Sequence, residues 1–193
     1  MLILGSRLLD LPIMSLQTGG ELARTTTAII DPGTLDIVAY RVNGSLLRSS
    51  EPSYVRIDDI RELSDIGFII DSIDEIIAAG DVIKLDEIIE LKFYLQNIAV
   101  WDEHRHRLGK VIDYTVDIGS FRVEQLTVKR PLMKSFNDPE LLIHRTQIIE
   151  INPEGIVVHS KASTPEHTRL STPGSYVNPF RKHKTARETG ERR

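Results

Sequence analysis

The chain carries one pattern twice, and this limits what it can fold into more than any other feature. Residues 54–72 read YVRIDDIRELSDIGFIIDS and residues 142–160 read LIHRTQIIEINPEGIVVHS. Laid together, Ile60 meets Ile148, Glu62 meets Glu150, Leu63 meets Ile151, Gly67 meets Gly155 and Ser72 meets Ser160. Upstream, Asp31–Val42 (DPGTLDIVAYRV) falls on Asp117–Val128 (DIGSFRVEQLTV). Gly20 then falls on Gly109, with a short length difference before Asp31. A period of roughly ninety residues is too long for a solenoid unit and suits a small domain. The expectation is two copies of one small unit followed by a tail.

Both copies read as strands. Short β-branched runs sit between turn signals at Ala28–Asp31, Leu35–Asn43, Ser53–Ile57, Asp59–Ser64 and Gly67–Asp71. The second copy gives Lys110–Asp117, Ser120–Arg130, Glu140–His144, Thr146–Asn152 and Gly155–Ser160. The turns Asp31-Pro32-Gly33-Thr34 and Asp117-Ile118-Gly119-Ser120 contain glycine, as do Ser64–Gly67 and Asn152–Gly155. Apolar alternation slips by one residue between Ile37 and Tyr40, and again between Val123 and Leu126. A bulge that absorbs the extra residue keeps the later side chains on the core face. Without a bulge, Val38 or Ala39 would have to face a neighbouring surface. Bulges bend strands, so the sequence predicts two small barrels rather than flat sheets.

Between the copies, Ser72–Leu95 is acidic. Ser72 and Glu75 have capping-box spacing, Gly80 can end a short helix, and Ile88, Leu91 and Leu95 suit one helical face. This predicts a short helical linker whose acids are a solvated face of a helix packed between the barrels; a partner-binding ridge is the competing reading. The expected organisation is a first β unit over 1–84, a helical linker over 85–94, a second β unit over 95–160 and a basic, flexible tail over 161–193.

Charge divides the chain. Its formal net charge is −4, yet residues 161–193 hold eight Lys/Arg against three acids, so the remainder carries −9. A body that acidic is a poor general surface for nucleic acid. The tail has too few apolar residues to fold alone, but Tyr176-Val177-Asn178-Pro179-Phe180-Arg181-Lys182 sets two aromatics beside basic residues. Such an island suits a linear recognition motif, with Tyr176 and Phe180 as anchors and Arg181 and Lys182 steering. Docking on the chain's own acidic body, or solubility alone, are the other uses of such a tail. The chain has no cysteine, which excludes disulfides, thiolate metal sites and a cysteine nucleophile. It shows neither a signal-peptide pattern nor a long apolar span, so a cytoplasmic location is expected.

No phosphate-cradling or hydrolase motif occurs. Trp101–Arg107 (WDEHRHR) is the one cluster with metal-ligand chemistry, but Arg105 and Arg107 repel a cation and the segment reads as a hairpin loop. Asp113 and Asp117 share a strand face without a candidate nucleophile, and Asp117 suits an Asx bond to the turn at Gly119. His144 and His159 read as half-buried or surface strand residues. No metal, cofactor or catalytic residue is expected.

The run Gly109-Lys110-Val111-Ile112-Asp113-Tyr114-Thr115-Val116-Asp117, its glycine turn and Phe121–Val128 resemble the G-x-V-x-D-x-x-x-D core of the PRC-barrel family. Thr146–Ser160 is similar to that family's last hairpin. The first copy matches more loosely, with no Asp where Asp113 stands. The resemblance covers about residues 5–84 and 95–160. It implies two small β-barrels that bind protein partners and assist assembly, with no catalysis. The chain lacks the transmembrane helix of the reaction-centre heavy subunit and the N-terminal domain of the ribosome maturation factor, so the resemblance names no partner. The expected function is a non-enzymatic adaptor or assembly factor acting through barrel faces and the C-terminal motif. The alternative is a ribosome or RNA maturation factor, with RNA met only by the basic tail or through a ribosomal protein.

Overall fold

The computed structural model describes residues 1–47, 51–131, 139–152 and 154–159. The chain is mainly β. Its strands are β1 (Leu2–Leu4), β2 (Pro12–Ser15), β3 (Glu21–Ile30), β4 (Ile37–Asn43), β5 (Ser53–Arg56), β6 (Glu62–Ser64), β7 (Gly67–Ile70) and β8 (Ile76–Ala78), then helix α1 (Ile83–Glu90). The second copy adds β9 (Ala99–Asp102), β10 (Arg107–Asp117), β11 (Arg122–Lys129), β12 (Glu140–His144), β13 (Ile148–Asn152) and β14 (Gly155–Val158). One sheet runs β6-β7-β2-β3-β4-β5-β8. The other runs β13-β14-β9-β10-β11-β12, with β1 on the far half of β10.

The two sheets repeat each other closely. Residues 21–30 and 107–116 show the same succession of exposed and buried positions. Ile13 pairs in parallel with Phe68, as Val100 does with Ile156. Tyr40 pairs with Val55, as Leu126 does with Ile143. The bulge read from the slipped alternation is present in both: Ile29 faces Ala39 while Ile30 faces Ile37, leaving Val38 as the extra residue, and Glu124 is the extra residue in β11. A second bulge, at Thr26 and Ile112, was not anticipated.

The register of the first strands differs from expectation. Ile13 faces Ala23 where Val100 faces Gly109, so Gly109 matches Ala23, not Gly20, and no length difference precedes Asp31. A Cβ at Gly109 would lie 2.1 Å from the Lys129 carbonyl oxygen, and that close crossing of β10 and β11 requires the glycine. In the first copy Gly44 relieves the same crossing from the opposite strand, its Cβ position lying 2.4 Å from the Leu22 oxygen. The glycines are interchangeable in purpose but not in position, which misled the alignment.

Neither hydrogen-bonded path closes on itself: β6 and β8 end one, β13 and β12 end the other. In both copies a single 3-10 turn carries the chain across the open seam, at Ile57–Asp59 and Arg145–Gln147. Ser72 caps a third such turn, accepting from the Asp74 N–H at 3.1 Å, while Glu75 accepts from the Asp71 N–H at 2.8 Å. The capping spacing was therefore real, but the element is one turn and not a helix to Gly80. The β-branched Ile76-Ile77 that follow pair with β5 as β8.

α1 also departs from expectation. It ends at Glu90, with Lys92 at φ 49°, and buries Leu85 beside Val82 and Ile89 rather than Ile88 and Leu91. It lies against the outer face of the first sheet, on Ile29, Val38, Ala39 and Tyr54, and not between two barrels. The matching outer face of the second sheet is Thr115, Glu124, Gln125 and Leu142, which gives a helix little to bury. Leu95 instead enters the main core.

The copies meet through their hairpin tips. Ile37 N–H donates to the Phe121 carbonyl at 2.8 Å, and Val123 N–H donates to the Leu35 carbonyl at 2.9 Å. Asp36 and Arg122 form the bridge between them, and the Arg122 guanidinium donates to both Asp36 oxygens at 2.5 and 3.2 Å. Leu35, Asp36 and Ile37 are the counterparts of Phe121, Arg122 and Val123, so the contact is reciprocal, as in a two-fold dimer. Leu35 and Phe121 both take the left-handed conformation, at φ 63° and 50°. Leu35 is buried, and Phe121 stacks at 5.9 Å from Phe68 of the other copy. One continuous cluster of buried apolar residues runs through both copies.

Candidate docking surfaces

Each acid singled out in the sequence is used in holding the fold. Asp113 accepts from the Ser6 N–H at 3.1 Å, the Ser6 hydroxyl at 2.6 Å and the Tyr114 N–H at 2.8 Å. It thereby ties the N-terminal segment to β10. Asp117 accepts from the Ser120 hydroxyl at 3.1 Å and from the Met1 ammonium at 2.9 Å, and the Asx-type bond comes from the Gly119 backbone N–H. The ammonium contact comes first among the causes that lower its pKa. Two carboxylates anchored in this way are poor proton-transfer groups.

The Trp101–Arg107 cluster is the β9–β10 turn. Asp102 Oδ1 accepts the N–H groups of His104 at 2.9 Å and His106 at 2.7 Å, and Oδ2 meets His106 Nδ1 at 3.0 Å. Burial of Asp102 pushes its pKa upward, but these hydrogen bonds and the nearby imidazole outweigh it and leave the carboxyl below its ordinary value. Arg107 lies over the Trp101 ring at 5.9 Å. Among the described residues no group of three His, Asp or Glu side chains is placed to hold a metal ion.

A broad concavity lies at the end of the first sheet, with a volume of about 1020 Å³. The β2–β3 turn, the segment 45–47 and the Ser72-capped turn with β8 frame it. Leu22, Leu47 and Ile76 line it, while Leu46 and Ile73 reach it with 51 % and 40 % of their surfaces exposed. Glu21 and Asp74 add carboxylates, and no Lys or Arg is among the described lining residues. Sequence patterning gave no sign of this cleft, because its apolar residues come from the start of β3, the segment 45–47, the Ser72-capped turn and β8, and carry no common period. Tyr176, Phe180, Arg181 and Lys182 lie outside the described residues. No helix among the described residues is long and apolar enough to cross a membrane.

No protein-family model matches the chain, and no curated protein matches it either.

Proposed function

We propose that this chain is a non-enzymatic cytoplasmic adaptor or assembly factor built from two PRC-type barrel units. It binds an extended segment of a protein partner in the cleft at the end of the first unit. The cleft carries this reading: it sets exposed leucine and isoleucine side chains beside carboxylates, a lining suited to a segment with apolar anchors and Lys or Arg between them. The resemblance of Gly109–Val128 to the PRC core supports the same class. The structural use of Asp102, Asp113 and Asp117 agrees with it. The C-terminal motif with Tyr176, Phe180, Arg181 and Lys182 is the second element, available to a partner or to the chain's own body. Affinity capture from lysate, with and without RNase, tests the class. Protein partners that survive RNase support the adaptor. Capture dominated by ribosomal proteins and precursor rRNA would replace it with a ribosome maturation role.

A further inference from the structure

The internal repeat supplies its own control for an open strand edge. β5 and β12 occupy the same place in their units, each paired on one side with the preceding long strand in the same register. On its other side β5 is covered by β8, with Ser53 facing Ala78, Tyr54 facing Ile77 and Val55 facing Ile76. Among the described residues nothing pairs with the corresponding side of β12. Leu142 on β12 is also 56 % exposed, whereas its counterpart Tyr54 is 5 % exposed, beneath α1 and beside Ile77 of β8. An uncovered edge beside an exposed leucine is a template for another strand.

The segment that would fill the edge by simple repetition cannot. After Ser72 the chain reads IDEIIA, and the β-branched pair Ile76-Ile77 forms β8. After Ser160 it reads KASTPE, with a proline where Ile77 stands and no branched apolar residue. The next strand-forming residues are Tyr176-Val177, with fifteen residues between Ser160 and Tyr176. A Ser/Thr/Pro/Gly-rich linker of that length spans roughly 22 Å. From β14 to a strand added beyond β12 is five strand spacings through β9, β10, β11 and β12, or about 24 Å along the sheet. Reach and distance match, and the tether holds the tail near millimolar effective concentration, on the order given by short flexible linkers. Pro179 is compatible with an added outermost strand, which needs no ladder N–H on its free side. The tail's charge of +5 against −9 for the rest of the chain favours the encounter.

We infer that the open edge of β12 takes this chain's own segment Tyr176–Phe180 as an added antiparallel strand, in the place that β8 fills on β5. The tail then extends the second sheet in cis as β8 extends the first, and the added strand lies beside Leu142. This inference stands apart from the cleft reading, which concerns the first unit.

Hydrogen exchange on the full chain tests it, beside a variant ending at Ser160 and a Val177→Pro variant. The β12 amides not bonded to β11 should exchange about tenfold or more faster in both variants, while those of β5 stay unchanged. The chain has no cysteine, so a disulfide between Leu142→Cys and Val177→Cys, or its neighbour Tyr176→Cys, is unambiguous. It should form within one chain and leave the protein monomeric on a denaturing gel. Equal exchange of the β12 amides in all three proteins would overturn the inference. So would cross-links found only between chains, which would make a second copy the occupant.

Discussion

Gly67→Ala and Gly155→Ala should be far more damaging than alanine at an exposed turn glycine of this protein. Gly67 opens β7 and Gly155 opens β14, the strands that run parallel to β2 and β9. Their φ angles are +131° and +154°, and a Cβ would stand 2.2 Å from the Pro12 oxygen and 2.4 Å from the Ala99 oxygen. Two costs add. Holding a side chain in backbone space that is almost exclusive to glycine costs about 1–3 kcal/mol. Forcing a packed strand aside costs about 1–3 kcal/mol more, because Ile13, Phe68, Val100 and Ile156 behind it have no exposed surface. The sum is about 2–6 kcal/mol per site, and its middle value corresponds to roughly a 10 °C fall in melting temperature for a chain of this size. Gly19→Ala is the internal reference: its φ is +67° and nothing lies within 4 Å of the added carbon. It should cost only about 1 kcal/mol. Urea unfolding with unchanged m-values would give the three differences directly. If Gly67→Ala and Gly155→Ala cost no more than Gly19→Ala, the close parallel pairing of β2 with β7 and β9 with β14 is wrong.

Asp102→Asn should lower the melting temperature at neutral pH. Because the folded carboxyl titrates below its unfolded value, its stabilisation is present above the unfolded pKa of about 3.9 and disappears as pH falls through the folded pKa. The gap between parent and variant should therefore be constant near pH 7 and close in acid below about pH 4; a gap that widens in acid would reverse the assignment. Tyr40→Phe should leave the melting temperature unchanged or raise it, since the buried Tyr40 hydroxyl has no hydrogen-bond partner among the described residues and its removal leaves the tilted ring contact with Phe68 at 5.4 Å intact. A loss of about 2 kcal/mol or more in that variant would mean the hydroxyl is satisfied.

The parts of the fold legible in the sequence are those in which a local pattern has a single physical cause. The slip between Ile37 and Tyr40 could only be absorbed by a bulge or by a second buried face, and the bulge at Val38 is present. Yet Val38 also packs near α1, so the bulge and the buried outer face coexist. Strands β2 and β9 were not legible: each has four residues, and each takes part of its pairing from a parallel partner far along the chain. β1 and β8 have three residues each and are fixed by their partners rather than by their own pattern. The reciprocal clasp at Asp36 and Arg122 was invisible because equivalent positions carry opposite charges, and alignment treats that as a mismatch. The cleft was unreadable for a related reason: Leu22, Leu46 and Ile73 converge only once the sheet is built.

The most direct measurement of the central claim is capture of protein partners by the full chain and by a Leu46→Asp/Ile73→Asp double variant, both treated with RNase. Leu46 and Ile73 are exposed, so the variant should melt within about 2 °C of the parent. An exposed apolar anchor replaced by a carboxylate beside Glu21 and Asp74 should lose at least about tenfold in affinity for a partner seated in the cleft. Loss of the RNase-resistant partners by the double variant, with folding intact, is the predicted result. Equal recovery of the same partners by both proteins would contradict the account.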